Sequence, residues 1–176
     1  MLSRCVNGRV MKNSTDVEKD QFVFFWHGPF SNWHLCTFEV DGTWFNCVEQ
    51  YMMARKAIMF EDTEIYDRIM STDAPSEQKR LGRRVKGFNP LRWDAAAKNI
   101  VFRGACAKFS QNESLKKALL ETGEKILVEA SPYDKIWGIG LSADDPRATD
   151  PDQWEGTNWL GEVLMQVRQE ILDSDE

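Results

Sequence analysis

The stretch from Asn46 to Phe60 sets a carboxylate and an amine into an otherwise apolar segment. Read as a helix, it places Glu49 and Lys56 within about 20° of one face and about 10 Å apart along the axis. That separation is too long for a direct ion pair. It suits two side chains leaning from opposite ends onto something held between them, with Met52 and Met53 as the floor. A carboxylate and an amine facing one guest are groups from which acid–base or covalent catalysis is built. The same residues also have purely structural readings. Asn46 followed three positions later by Glu49 is a capping-box pattern, in which the Glu reaches back to the Asn amide. Lys56 also reads as a lysine whose stem lies on apolar surface with its ammonium in water.

Other residue types able to touch a ligand lie further along. Arg80, Arg83, Arg84, Lys86 and Arg92 cluster between two helical segments, as a grip for one or two phosphates or as a solvated basic patch. Arg103 and Lys108 follow on the next helix, at its solvent edge or against a ligand. Trp137-Gly138-Ile139-Gly140 is punctuated by glycine, so its backbone can approach a ligand while Trp137 offers a ring, and Asp134 lies three residues before that ring.

The whole composition narrows the function classes. A chain of 176 residues fits one domain with a real core. Seven Trp and ten Phe are many for this length and favour a site that binds flat rings. A net charge of −6 argues against strong nonspecific nucleic-acid binding. Cys5, Cys36, Cys47 and Cys106 show no CxxC spacing and read as reduced thiols. With only His27 and His34 and no paired-histidine motif, neither a metal nor a cofactor is expected. No segment has the length and apolarity of a signal peptide or membrane span, so a soluble, cytoplasmic protein is expected.

The elements that must position these groups follow from pattern. Residues 1 to about 20 lack periodicity and read as a flexible leader, with one domain over 21–173. Phe22 to Trp26 reads as a buried strand ended by His27-Gly28-Pro29. Asp41-Gly42 joins two short strands as a hairpin that feeds the Asn46 helix and fixes where Glu49 points relative to the Phe30–Trp33 loop. Helices are expected from Asp62 to about Met70, from Pro75 through Leu81 with Gly82 as a stop, and from Ala95 to Phe109 after an Asn89-Pro90 start. Small Gly104 allows close packing in the last of these. A shorter helix from about Glu113 to Thr122 is stopped by Gly123, and Lys125 to Glu129 is a strand. Ser142 to Thr157, acidic and proline-bearing, reads as a surface loop. Asn158 is expected to cap a final helix with Leu160, Val163, Leu164, Val167, Ile171 and Leu172 facing inward.

Phe30-Ser31-Asn32-Trp33, Glu49 to Lys56, Ala107-Lys108-Phe109, Leu127 to Pro132, Asp134 to Gly140 and Asn158-Trp159-Leu160-Gly161 together resemble the NADAR or YbiA-like family, in order and spacing, from about residue 22 to 172. The resemblance implies a mainly α fold with a few short β-strands in a single domain. It also implies hydrolysis of an N-glycosidic bond between a phosphorylated ribose and a base-like amine. Within the family some members act on early riboflavin-pathway ribosylamino-pyrimidine phosphates, and others remove ADP-ribose from guanine bases. The family's motifs fall here on Glu49, Lys56 and Asp134 as catalytic candidates. Ser31, Asn32, Trp33, Arg55, Arg83, Arg103, Trp137 and Gly138 are the substrate-binding candidates. Relatives often carry Phe at the position of Trp33, a departure that changes what lies beside the sugar.

Cleaving such a bond requires a proton on the departing nitrogen and stabilisation of positive charge at the anomeric carbon. A carboxylate at a helix start is stabilised as the anion, so Glu49 is expected to be a base or a charge stabiliser. Water activated by Glu49 or Asp134 attacks directly, or an uncharged Lys56 captures an opened imine. The substrate is a small phosphorylated ribosylamine or an ADP-ribosylated nucleotide. A third reading is a binding module for ADP-ribose without turnover, against which the joint presence of Glu49, Lys56 and Asp134 argues.

Overall fold

The computed structural model describes residues 20–174, so the expected leader, except its last residue, lies outside the described residues, as does Cys5. The strand β1 (Phe22–Phe25) leads through a loop to a hairpin of β2 (Phe38–Val40) and β3 (Thr43–Phe45). Helices α1 (Val48–Met59), α2 (Thr63–Met70), α3 (Pro75–Gly82), α4 (Pro90–Ser110) and α5 (Glu113–Leu120) follow. The chain then forms β4 (Ile126–Glu129), a 3-10 turn at Pro151–Gln153, and α6 (Trp159–Ser174). The described chain is thus mainly α with a few short strands. None of these helices is long and apolar enough to cross a membrane.

The hairpin turns where Asp41 and Gly42 both adopt positive φ, 53° and 80°, the backbone that a two-residue turn between twisted strands requires. The other pair is parallel, β1 beside β4, with Phe25 opposite Glu129. Both of its strands end at the same edge, so the loops that leave them open onto one side of the molecule.

Helix α1 is the hub, packed against α2, α3 and α4, and nine of its twelve residues are buried. Its Tyr51 ring meets Phe45 edge-on at 5.1 Å between centroids. Gly104 of α4 lets that ring approach, since a Cβ there would lie 2.5 Å from Tyr51 Cδ1. α6 packs on α4 and β4, and buries Leu160, Val163, Leu164, Val167 and Ile171, whereas Leu172 is 45% exposed. Arg168 is buried instead, donating to Thr122 Oγ1 and the Lys125 carbonyl.

Two capping expectations are corrected. Cys47, not Asn46, caps α1: its Sγ accepts from the Gln50 N–H at 3.4 Å, while Gln50 Oε1 accepts from the Asn46 N–H at 2.8 Å. Asn158 takes φ 53° and turns its side chain to β4, where Nδ2 donates to the Leu127 carbonyl and Oδ1 accepts from the Glu129 N–H. It serves β4 as an added strand partner would, so the end of that strand is held. The acidic loop also has more order than its composition implies. Arg147 ties Asp145 to Glu155, and Ala148 is buried with Val128, Ile139 and Leu141.

Candidate active site

A cleft of about 690 Å³ opens where α1, α3 and the loops after β1 and β4 meet. Glu49 enters it from the first turn of α1. Its N–H donates to the Asn32 carbonyl at 2.9 Å, which locks the helix start to the preceding loop. Its Oε2 accepts from Trp33 Nε1 at 3.2 Å, and Oε1 is buried with no hydrogen-bond partner. Burial pushes this carboxyl up to about 7; nearby Lys79 and the Trp33 hydrogen bond oppose the rise and Asp134 adds to it. Burial thus opposes the expected stabilisation of the anion and leaves a carboxyl that can act as a base near neutral pH. Desolvation outweighs the helix dipole, which acts through less than one unit of charge.

Lys56 lines the same cleft two turns on, with Met52 and Met53 between the two ends. It is only 8% exposed, so the snorkelling reading fails. Its ammonium sits 4.0 Å from the centroid of the Phe88 ring and 5.4 Å from that of Trp93, a cation held by ring faces. Burial lowers its pKa and Arg83 lowers it further, against a raising pull from Glu49.

The loop after β4 supplies Asp134 and Trp137. Asp134 Oδ1 accepts from the Ile136 and Trp137 N–H groups at 3.0 and 2.8 Å, and Oδ2 lies 3.6 Å from Lys79 Nζ. Both oxygens are thus engaged, and the residue pins the loop that carries the Trp137 ring. Gly138 does not line the cleft. A Cβ there would lie 2.8 Å from the Glu129 carbonyl oxygen, so its need is close packing rather than approach to a ligand.

Ser31, Trp33 and Arg83 join the cleft wall. Asn32 contributes only its carbonyl to Glu49 and does not line the cleft. Arg55 lies outside the lining, where its charge partly offsets the burial that raises the Tyr51 hydroxyl pKa. Arg103 is also outside, held by both oxygens of Asp41 at 2.7 and 2.9 Å at the hairpin turn. Of the basic cluster, Arg83 alone reaches the cleft. Arg80 is bound by Glu77, Lys86 by Glu64, and Arg92 lies over the Phe60 ring. Lys108 is at neither the solvent edge nor the cleft. It is 1% exposed, and its ammonium donates to the Ser31 carbonyl at 3.0 Å. Burial lowers its pKa to about 8.

Several wall residues escaped the sequence reading, among them Trp26, Lys79, Trp93, Glu129 and Tyr133. Glu129 had a visible signal, a carboxylate ending an apolar strand just before a glycine-rich loop. Lys79 had none, because a lysine on a short polar helix reads as surface.

The NADAR domain model matches residues 24–172. The chain belongs to the NADAR domain family. It is 45% identical over 168 residues to an N-glycosidase of Acanthamoeba polyphaga mimivirus, covering 88% of this chain and 98% of that one. It is 34% identical over 157 residues to a chloroplastic riboflavin biosynthesis protein of Zea mays, covering 82% of this chain and 23% of that longer protein. Among solved structures it resembles Escherichia coli YbiA, with a TM-score of 0.73 and 26% identity over 89% of this chain and 88% of that one. The NADAR fold thus accounts for the mainly helical architecture, with the cleft at the shared edge of β1 and β4.

Proposed function

We propose that this NADAR protein hydrolyses the N-glycosidic bond of a phosphorylated ribosylamine, such as the ribosylamino-pyrimidine phosphates made early in riboflavin synthesis. The observation that carries the reading is the Glu49 carboxyl, buried with one bare oxygen in a cleft that also holds cations and rings. The names of the relatives, an N-glycosidase and a riboflavin biosynthesis protein, support the same class.

Each requirement of the reaction has a group in the cleft. Lys79 and Arg83 are four residues apart on α3 and its cap, so they share one face and offer two charges to a phosphate. Arg83 makes no ion pair with the described residues. Trp137, stacked edge-on against Trp159 at 5.7 Å, presents a fixed ring to the base. Glu49, ionised in part at neutral pH, takes the proton of an attacking water and offsets positive charge at the anomeric carbon. No metal or cofactor enters this scheme, and cytoplasmic substrates of this kind are its natural partners.

A covalent variant is favoured by one observation, the lowered pKa of Lys56 beside the Phe88 and Trp93 rings. An uncharged Lys56 attacks an opened ribosylamine and forms an imine, which water then hydrolyses. Removal of ADP-ribose from guanine is the second substrate reading. The exposed rings of Trp26 and Tyr133, 5.7 Å apart at the mouth, favour it by extending the ring surface beyond the cleft floor. A module that binds ADP-ribose without turnover would have no use for a buried, unpartnered carboxyl.

The deciding experiment incubates the protein with ribosylamino-pyrimidine phosphate and, separately, with ADP-ribosylated guanosine, following released base by chromatography. Release from the pyrimidine substrate is expected. Release only from ADP-ribosyl guanosine would replace the first substrate with the second, and tight ADP-ribose binding with no turnover would leave the binding module.

A further inference from the structure

We propose that Glu129 is the general acid of this reaction, protonating the departing nitrogen while Glu49 serves the attacking water. This rests on the N-glycosidase reading above.

Glu129 is the last residue of β4, and its backbone is fixed on both sides. Its N–H donates to Asn158 Oδ1 at 3.0 Å and its carbonyl accepts from the Ile139 N–H at 3.0 Å. The side chain reaches the cleft wall, where Oε2 is buried with no partner. Among the described residues, two buried side-chain atoms lack a hydrogen-bond partner, Glu49 Oε1 and Glu129 Oε2, and both residues line this cleft. An unpaired buried polar atom is costly, because it has lost water and gained no partner. Two of them at one cleft point to a guest that supplies the missing partners. Asp134, the third carboxylate, already uses both oxygens on the loop amides and Lys79. It is therefore a positioning residue, and the acid–base pair is Glu49 with Glu129.

The electrostatics assign the order of protons. Burial first, then Asp134 and Glu49, push Glu129 up to about 8, with Lys79 pulling the other way. The other titratable and charged groups of the cleft are His27 after β1, Lys56 on α1, Arg83 at the end of α3, and Tyr133 and Lys135 after β4. Two carboxyls in one cleft resist ionising together; the Trp33 N–H favours the ionised form of Glu49, whereas Glu129 Oε2 has no donor among the described residues, so Glu129 is the group that holds the proton and Glu49 the one that takes it. In the step, the Glu129 proton passes to the glycosidic nitrogen. The carbon–nitrogen bond breaks with its electron pair on nitrogen, the water oxygen bonds to the anomeric carbon, and the water's proton goes to Glu49. The products are the free amine and ribose phosphate, and exchange with solvent returns the protons.

The test is the pH profile of kcat on ribosylamino-pyrimidine phosphate for the wild-type chain, Glu129→Gln and Glu129→Asp, with melting curves for each. The wild type is expected to lose activity above about pH 8 as the acid ionises. Glu129→Gln is expected to lower kcat at least about 100-fold, with KM nearly unchanged and the alkaline limb gone. Glu129→Asp keeps a carboxylic acid, an intermediate rate and an alkaline limb. A Glu129→Gln rate within about tenfold of wild type, or an alkaline limb that survives in it, overturns the assignment. Should Glu129→Gln fail to fold, a flat wild-type profile above pH 8 still overturns it, and an alkaline limb in the wild type that moves in Glu129→Asp supports it. No turnover by the wild type on either this substrate or ADP-ribosyl guanosine overturns the N-glycosidase reading and this proposal with it.

Discussion

Trp33 Nε1 donates to Glu49 Oε2 at 3.2 Å, across a gap of sixteen residues. An indole N–H can donate here and a phenylalanine ring cannot, so the Trp at this position does more than present a flat surface. It stabilises the ionised carboxylate in part against the burial that raises its pKa. The same loop supplies the Asn32 carbonyl to the Glu49 N–H, so backbone and side chain of the carboxylate are both set from one short segment.

Glu49→Gln is expected to lower kcat by about 100-fold or more, the usual contribution of a positioned proton acceptor. The fold should survive, since Cys47 caps α1 and the Glu49 carboxyl takes no part in capping. Paired rate measurements and thermal melts check this, and a protein that unfolds would restore a structural role to Glu49.

Stability should fall as pH rises from about 4.5 to about 7. Native Glu49 holds its proton to about pH 7, while the unfolded residue releases it near 4.5. The native state therefore binds more protons between these values, and unfolding free energy decreases across that window and levels off above it. The size is on the order of 3 kcal/mol for this group alone. Denaturant melts between pH 4.5 and 8 should show the decline, less steep in Glu49→Gln, where the raised Glu129 carboxyl still contributes.

Arg83→Ala should raise KM for a phosphorylated ribosylamine about tenfold or more, by removing a charge-assisted contact. Turnover of the unphosphorylated analogue should change far less. Arg103→Ala should leave both unchanged, because Arg103 is bound to Asp41 outside the cleft. Equal effects from the two arginines would move the phosphate site.

Borohydride added during turnover should trap sugar on the protein only if the imine route operates, and Lys56→Ala should then abolish the adduct. Mass measurement of the intact chain reads this directly. Turnover that persists in Lys56→Ala with no adduct in wild type would leave direct water attack as the route.

Gly104→Ala should destabilise the fold by about 1–3 kcal/mol, the usual cost of overpacking. The added Cβ would lie 2.5 Å from the Tyr51 ring, which is buried edge-on against Phe38 and Phe45. A drop in melting temperature with kcat retained at low temperature would show that this contact supports the scaffold rather than the chemistry.

Much of the scaffold was legible because its causes are local. The Asp41-Gly42 turn, the Pro75 and Asn89-Pro90 helix starts and the Gly123 stop all depend on backbone preferences of one or two residues. The Glu49 to Lys56 spacing is likewise a property of one helix, so their shared face could be read before any packing was known.

Capping and burial were not legible in the same way. Asn46 and Cys47 are neighbours, and the choice of cap depended on Gln78 and Asp73 engaging the Asn46 side chain from α3 and the turn before it. Lys108 looked like a surface cation until the Ser31 carbonyl met it from 77 residues away. Arg55 and Arg103 carry the same charge as Arg83, and no local pattern says which of the three faces the cleft.

By itself, then, the sequence determined the helical scaffold, its turns and the pairing of Glu49 with Lys56 on one face, since each follows from backbone preference and residue spacing. Only the tertiary structure decided the ionisation of the site. It brought Glu129 from the end of β4 and Lys79 from α3 to the Glu49 cleft, and buried one oxygen of each carboxyl. Proton affinity in a protein depends on burial and on charges close in space, and neither is written in the order of residues along the chain.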